Sequence, residues 1–70
     1  MTISEIRNDV KINGEKILGR KMTKAEIEEN AQALVDYFDL LMEDCKGDEE
    51  AAYDLFNEDF YDKLKEQLEE

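Results

Sequence analysis

Apolar side chains recur every three or four residues between positions 27 and 45, and this repeat most restricts how the chain can fold. Such spacing places side chains along one face of an α-helix. Its members are Ile27, Ala31, Leu34, Phe38, Leu41 and Cys45. Thr23 and Glu26 precede the repeat in a capping-box pattern, and Gly47 follows it as a typical helix stop. We therefore predict a helix over residues 24–46.

A second helix is predicted over residues 49–68. Asp48 is a suitable N-cap, and Glu49 and Glu50 would lie in the first turn, where the helix dipole favours negative charge. Apolar residues then continue at helical spacing, but the phase of the pattern shifts near Asn57, which could itself cap a further helix. The pattern therefore leaves open one helix or two joined at a kink. Either way, the two helical segments are expected to form an antiparallel hairpin.

The first 22 residues allow two interpretations. Thr2 and Glu5 form a capping-box pattern, which favours a short helix at 3–10. Beyond it, Asn13 and Gly14 lie between short alternating runs, and this favours a two-residue β-hairpin turn. We expect a mainly α fold in which the helical hairpin packs on the N-terminal segment. The alternative is an α+β fold with a short β-hairpin around the Asn-Gly pair.

Charge is distributed unevenly along the chain. Seventy residues support a single small domain, 1–70, with a basic segment at 1–22 and the acidic helical hairpin at 23–70. Residues 1–24 carry six basic and three acidic side chains, whereas residues 25–70 carry three basic and seventeen acidic ones. The formal net charge of -11 therefore arises in the last two-thirds of the chain.

The chain has few groups that could perform chemistry. It has no histidine, and its one cysteine, Cys45, belongs to the apolar repeat, where a buried and inert thiol is expected. The acidic stretch 44–54 has lysine and glycine at the third and fourth positions, so it does not match a calcium-binding loop. We expect no enzyme activity, catalytic residue, cofactor or metal. No signal peptide or membrane-spanning run is recognisable, so we expect a cytoplasmic protein without membrane contact.

The acidic residues suggest a binding function. Carboxylates three or four residues apart on a helix lie about 5–6 Å apart, so an acidic helix can occupy a Lys- and Arg-lined groove built for DNA or RNA. In size, acidity and lack of catalytic groups the chain resembles small phage-type inhibitors that imitate nucleic acid, including anti-restriction and anti-CRISPR proteins. This resemblance is one of composition and includes no motif. We expect a non-enzymatic protein that blocks the basic groove of a nucleic-acid-handling enzyme and does not itself contact nucleic acid. The predicted partner-binding residues are Asp36, Asp39, Glu43, Asp48, Glu49, Glu50 and Asp54.

Additional apolar residues support an alternative function. Ala33, Tyr37 and Leu40 lie outside the main repeat of the long helix, and we expect the N-terminal segment to cover them. If they were uncovered, the protein could be a helical adaptor or regulatory subunit that binds a partner helix, or a homodimer. The apolar face for that function would consist of Tyr37, Leu40, Phe56, Phe60 and Tyr61.

Overall fold

Three helices make up the fold. A computed structural model describes residues 2–69 and contains α1 (Ile3–Leu18), α2 (Lys24–Asp44) and α3 (Glu49–Leu68). Each helix contacts the other two, and the bundle measures 38 × 19 × 17 Å. No strand occurs among residues 2–69. The prediction of a mainly α fold is therefore confirmed.

Each helix begins at the cap that the sequence indicates. The hydroxyl of Thr2 accepts a hydrogen bond from the backbone N–H of Glu5 at 3.3 Å. Thr23 and Glu26 form the full capping box: the N–H of Glu26 donates to the Thr23 hydroxyl at 3.1 Å, and the N–H of Thr23 donates to the Glu26 carboxylate at 2.9 Å. The Asp48 carboxylate accepts from the N–H of Ala51 at 3.2 Å. These bonds satisfy amides that have no partner within the helix.

The turn between α2 and α3 begins two residues earlier than predicted. α2 ends at Asp44 and not at residue 46, because Lys46 and Gly47 have φ angles of 56° and 84°. Both angles lie in the left-handed region, which ends a right-handed helix. The N–H of Gly47 donates to the carbonyl of Met42 at 2.8 Å, which closes the last turn before α3 starts.

The β-hairpin alternative was wrong, and the predicted helix at 3–10 was too short. α1 runs without interruption to Leu18. The side-chain amide of Asn13 donates to the carbonyl of Asp9 at 2.9 Å, so it bonds within the helix and not across a turn. Gly14 is buried because Met22 and Leu68 pack against the place where its side chain would be. Tertiary packing therefore overrides the local preference of the Asn-Gly pair for a turn.

The core lies between the three helices and is centred on Phe56. The ring of Phe56 meets Phe38 edge-on at 5.4 Å and Phe60 edge-on at 5.5 Å between ring centroids. The buried apolar residues are Ile6, Val10, Met22, Ala31, Leu34, Ala52, Phe56 and Leu64. α3 is one continuous helix through Asn57. Its core positions recur every four residues and so drift slowly around a 3.6-residue helix, which explains the phase shift in the sequence.

Candidate functional site

The outward side of α2 carries three carboxylates, which we call the acidic face: Asp36, Asp39 and Glu43. All three side chains are exposed. At 100° per residue they lie within an arc of about 60°, on the side of α2 opposite the core residues Leu34 and Phe38. α2 therefore presents a compact group of negative charges to solvent.

The other predicted acidic residues lie on α3 and on the turn before it. Asp48, Glu49 and Glu50 are exposed at the end of the bundle where α2 ends and α3 begins, and Asp48 also serves as the N-cap. Asp54 is exposed farther along α3. It lies about 140° around the helix from Asp59, the residue that bonds to α2. Asp48, Glu49 and Glu50 thus place further negative charge at the α2–α3 turn, whereas Asp54 lies on a side of α3 that faces away from α2.

None of the seven predicted carboxylates forms an ion pair within residues 2–69. The ion pairs in this part of the chain are Arg7–Glu28 at 2.8 Å, Arg20–Glu26 at 2.7 Å and Lys65–Glu69 at 4.0 Å. Two of them join a cation of the basic N-terminal segment to a glutamate in the first half of α2. The basic segment thus neutralises part of the acidic hairpin and leaves the acidic face uncompensated.

The Arg20–Glu26 pair holds the opposite end of the bundle, at the α1–α2 turn. Two guanidinium nitrogens of Arg20 donate to the two carboxylate oxygens of Glu26, at 3.0 and 2.7 Å. This bond, followed by the N–H of Thr23, lowers the pKa of Glu26 to about 2. The same contact raises the pKa of Arg20. The Arg20 charge at this turn is thus paired, whereas Asp36, Asp39 and Glu43 have no ion-pair partner within residues 2–69.

A groove runs between α2 and α3 beside the acidic face. The Tyr37 hydroxyl donates to the Asp59 carboxylate at 3.1 Å, and Lys63 Nζ lies 5.0 Å from the centroid of the Tyr37 ring. Burial, together with the bond to Asp59, raises the pKa of Tyr37. From α2 the groove is lined by Ala33, Asp36, Tyr37 and Leu40. From α3 it is lined by Asp59, Asp62, Lys63, Glu66 and Gln67. We call this the α2–α3 groove.

The residues predicted as an apolar partner face do not form one surface. Phe56 is only 2% exposed and belongs to the core, and Phe60 packs against that core. Tyr61 is 48% exposed, but it lies about 160° around α3 from Asp59 and so faces away from α2. Tyr37 and Leu40 are the two members that line the same groove.

The expectation that the N-terminal segment covers the additional apolar residues of α2 was wrong. Tyr37 packs against Phe56 of α3, with ring centroids 6.2 Å apart. Ala33 is exposed, and Leu40 is 60% exposed. The α3 side of the groove was missed by the sequence analysis, although a signal existed: Asp59, Lys63 and Gln67 recur every four residues, and hence share one helix face.

Neither a metal cluster nor a membrane-spanning helix is found in the described part of the chain. No group of three or more Cys, Asp or Glu side chains among residues 2–69 is placed to hold a metal ion. No helix in the same range is long and apolar enough to cross a bilayer. Neither a protein-family model, nor a curated protein, nor a solved structure matches the chain. The fold and the exposed residues define a small acidic three-helix bundle. Its candidate functional site lies on the surface of the bundle.

Proposed function

We propose that this protein is a non-enzymatic inhibitor that places its acidic face in the basic groove of a nucleic-acid-handling enzyme. One observation carries the proposal: Asp36, Asp39 and Glu43 are exposed on one side of α2, and none has an ion-pair partner within residues 2–69. Asp48, Glu49 and Glu50 continue the negative charge to the end of the bundle.

The physical basis is competition for a cationic site. A groove that binds DNA or RNA owes much of its affinity to Lys and Arg side chains that neutralise phosphates. Carboxylates held on a rigid helix offer such a groove a line of negative charge without the cost of ordering a flexible chain. Their field also speeds encounter with a basic surface. Charges placed only for solvation would need no common direction, and their mutual repulsion destabilises the fold.

The alternative, an adaptor or homodimer that uses an apolar face, has less support. Its predicted face depended on Phe56, which is buried, and on Tyr61, which lies on a different side of α3 from Tyr37. The exposed apolar area that remains beside α2 centres on Leu40, which is bordered by carboxylates. A basic partner surface is a better match for the carboxylates around Leu40 than an apolar surface is.

The proposal is tested by capture from a lysate of the source cells on the immobilised full-length protein. Proteins are bound at about 0.1 M salt and washed near 1 M, which reduces the screening length from roughly 10 Å to about 3 Å. We expect a nucleic-acid-handling enzyme that is retained at low salt, released at high salt and displaced by added DNA or RNA. Capture of salt-resistant partners alone would contradict the proposal.

A pair of charge-reversed variants makes the test specific. The first combines Asp36→Lys, Asp39→Lys and Glu43→Lys. The matched control combines Asp9→Lys, Glu58→Lys and Glu69→Lys, three exposed positions outside the acidic face. Each triple variant changes the formal net charge from -11 to -5, and circular dichroism checks that helicity is retained. We expect the first variant to lose the enzyme and the control to keep it, whereas equal behaviour of the two would overturn the proposal.

A further inference from the structure

Leu40 borders the acidic face on the side of α2 that lines the α2–α3 groove. Its side chain is 60% exposed, the largest exposed fraction among the large apolar residues of the described chain. It follows Asp39 directly and lies one helical turn from Asp36 and Glu43, so carboxylates surround it along α2. An apolar side chain in that position gains nothing from solvation. It is therefore available for contact with a partner.

Acidic residues line both sides of the α2–α3 groove beside Leu40. Asp36 lines it from α2, and Asp59, Asp62 and Glu66 line it from α3. Lys63 is the one cation among the lining residues, and its ammonium group lies over the Tyr37 ring. A molecule that binds in the groove must therefore carry positive charge towards both sides and an apolar group that contacts Leu40. Charge complementarity excludes a nucleic acid or a second copy of the acidic face.

The shape of the groove favours a helix as the occupant. α2 and α3 run antiparallel, as shown by Asn30 bonding to Gln67 and Tyr37 bonding to Asp59, so the groove follows their axes. Side chains of a third helix can insert between two such helices. The depression next to Leu40 has a volume of about 330 Å³ and is lined by both helices, so side chains that project from a third helix can enter it.

We propose that the α2–α3 groove binds a cationic amphipathic helix of the partner, with Leu40 as the apolar anchor. Lys or Arg residues on the two flanks of that helix contact Asp36 on the α2 side of the groove and Glu66 on the α3 side. The inference rests on the proposed function in taking the partner surface to be basic. It adds that the recognised element is a helix with an apolar stripe, whose contact with Leu40 adds specificity to the pairing of charges.

Two synthetic peptides of about 18 residues, or five helical turns, serve as probes. One places Leu at helical spacing among Lys residues, and the other replaces every Leu with Gln at the same charge. Their affinities for the full-length chain are measured by fluorescence anisotropy at about 0.15 M salt. We expect the Leu-containing peptide to bind roughly tenfold more tightly, because an anchored apolar contact is typically worth a factor of this order.

Two alanine variants locate the contact. Leu40→Ala should weaken binding of the Leu-containing peptide about tenfold and leave binding of the Gln-containing peptide unchanged. Leu55→Ala is the matched control, because Leu55 is 42% exposed and is not among the groove-lining residues. Glu66→Lys should weaken the binding of both peptides, since it reverses a charge on the α3 side of the groove. Because Leu40 and Leu55 are exposed, we expect both alanine variants to retain their helicity.

The outcomes separate this inference from the proposed function. If Leu40→Ala and Leu55→Ala bind the Leu-containing peptide equally well, or if both peptides bind the unaltered protein equally, the groove inference is overturned. Salt-sensitive capture of an enzyme through the acidic face would still stand. If the triple variant at Asp36, Asp39 and Glu43 still binds the captured enzyme, the proposed function fails. The peptide measurements with Leu40→Ala test the groove independently of that result.

Discussion

Gly14 in α1 and Met22 in the α1–α2 turn are in direct contact, and a β-carbon at position 14 would overlap the sulfur of Met22. The same β-carbon would lie 3.5 Å from Leu68 Cδ1. The absence of a side chain at this position thus lets the turn and the end of α3 close on α1. This contact lies at the end of the bundle that contains the α1–α2 turn, where Arg20 pairs with Glu26.

Gly14→Ala should show strong coupling to Met22. Alanine gains about 1 kcal/mol over glycine within a helix, but displacing a buried side chain costs roughly 1–3 kcal/mol. We therefore expect Gly14→Ala to be neutral or destabilising in the natural sequence. In a Met22→Val background, where no atom occupies the sulfur position, it should stabilise by about 1 kcal/mol. A urea-unfolding double-mutant cycle measures the difference, and equal stabilisation in both backgrounds would disprove the close contact.

The contact between Gly14 and Met22 also shows why part of the fold escaped prediction. The caps at Thr23 and Asp48 depend on hydrogen bonds between residues three positions apart, so the local sequence was sufficient to locate them. The conformation at Gly14 depends instead on packing with Leu68, which is distant in sequence. No local pattern contains that information, and the Asn-Gly turn signal was misleading for that reason.

The candidate site divides in the same way. Exposure of Asp36, Asp39 and Glu43 follows from helical periodicity, because they lie opposite the apolar repeat, and the structure places them together. The groove depends on how α3 docks against α2. Phe56 and Leu40 both belong to apolar patterns in the sequence, and only the packing of the helices buries the first and leaves the second exposed.

Phe56→Ala should unfold the protein. Phe56 is 2% exposed and contacts three other aromatic rings. Removing a buried phenylalanine side chain costs about 3–5 kcal/mol, which is similar to the whole stability of a domain of this size. Far-UV circular dichroism should therefore show loss of helicity at 37 °C. Tyr61→Ala, at a position 48% exposed, should keep the native signal. A folded Phe56→Ala variant would contradict the assignment of Phe56 to the core.

Glu26 should make stability dependent on pH in the acid range. Its pKa of about 2 in the folded chain lies below the ordinary value of 4.5, so the folded state holds this proton less tightly than the unfolded state. Its contribution to stability is complete above the ordinary pKa and is lost as the pH falls towards 2. The difference in unfolding free energy between the natural protein and Glu26→Gln should therefore be constant near neutral pH and shrink below about pH 4.5.

Arg20→Gln provides the control for that measurement. The hydrogen bond from Arg20 is the largest cause of the lowered pKa of Glu26. Its removal should move the Glu26 pKa back towards 4.5, which an NMR titration of the Glu26 carboxyl carbon would detect. The prediction is contradicted if the difference in unfolding free energy between the natural protein and Glu26→Gln is the same at neutral pH and at pH 2. The contact with Arg20 would then contribute nothing to folding.

Sodium chloride should raise the melting temperature of the protein. The formal net charge is -11, and the three ion pairs found within residues 2–69 join side chains that are all at least 31% exposed. Exposed pairs contribute little, so screening removes more repulsion than attraction. Thermal unfolding between about 0.02 and 0.3 M salt should therefore show a steady rise in Tm. In the triple variant with lysine at positions 36, 39 and 43, Tm at low salt should be higher and its dependence on salt weaker. A Tm that falls with salt would instead mean that attraction among surface charges dominates the stability of the bundle.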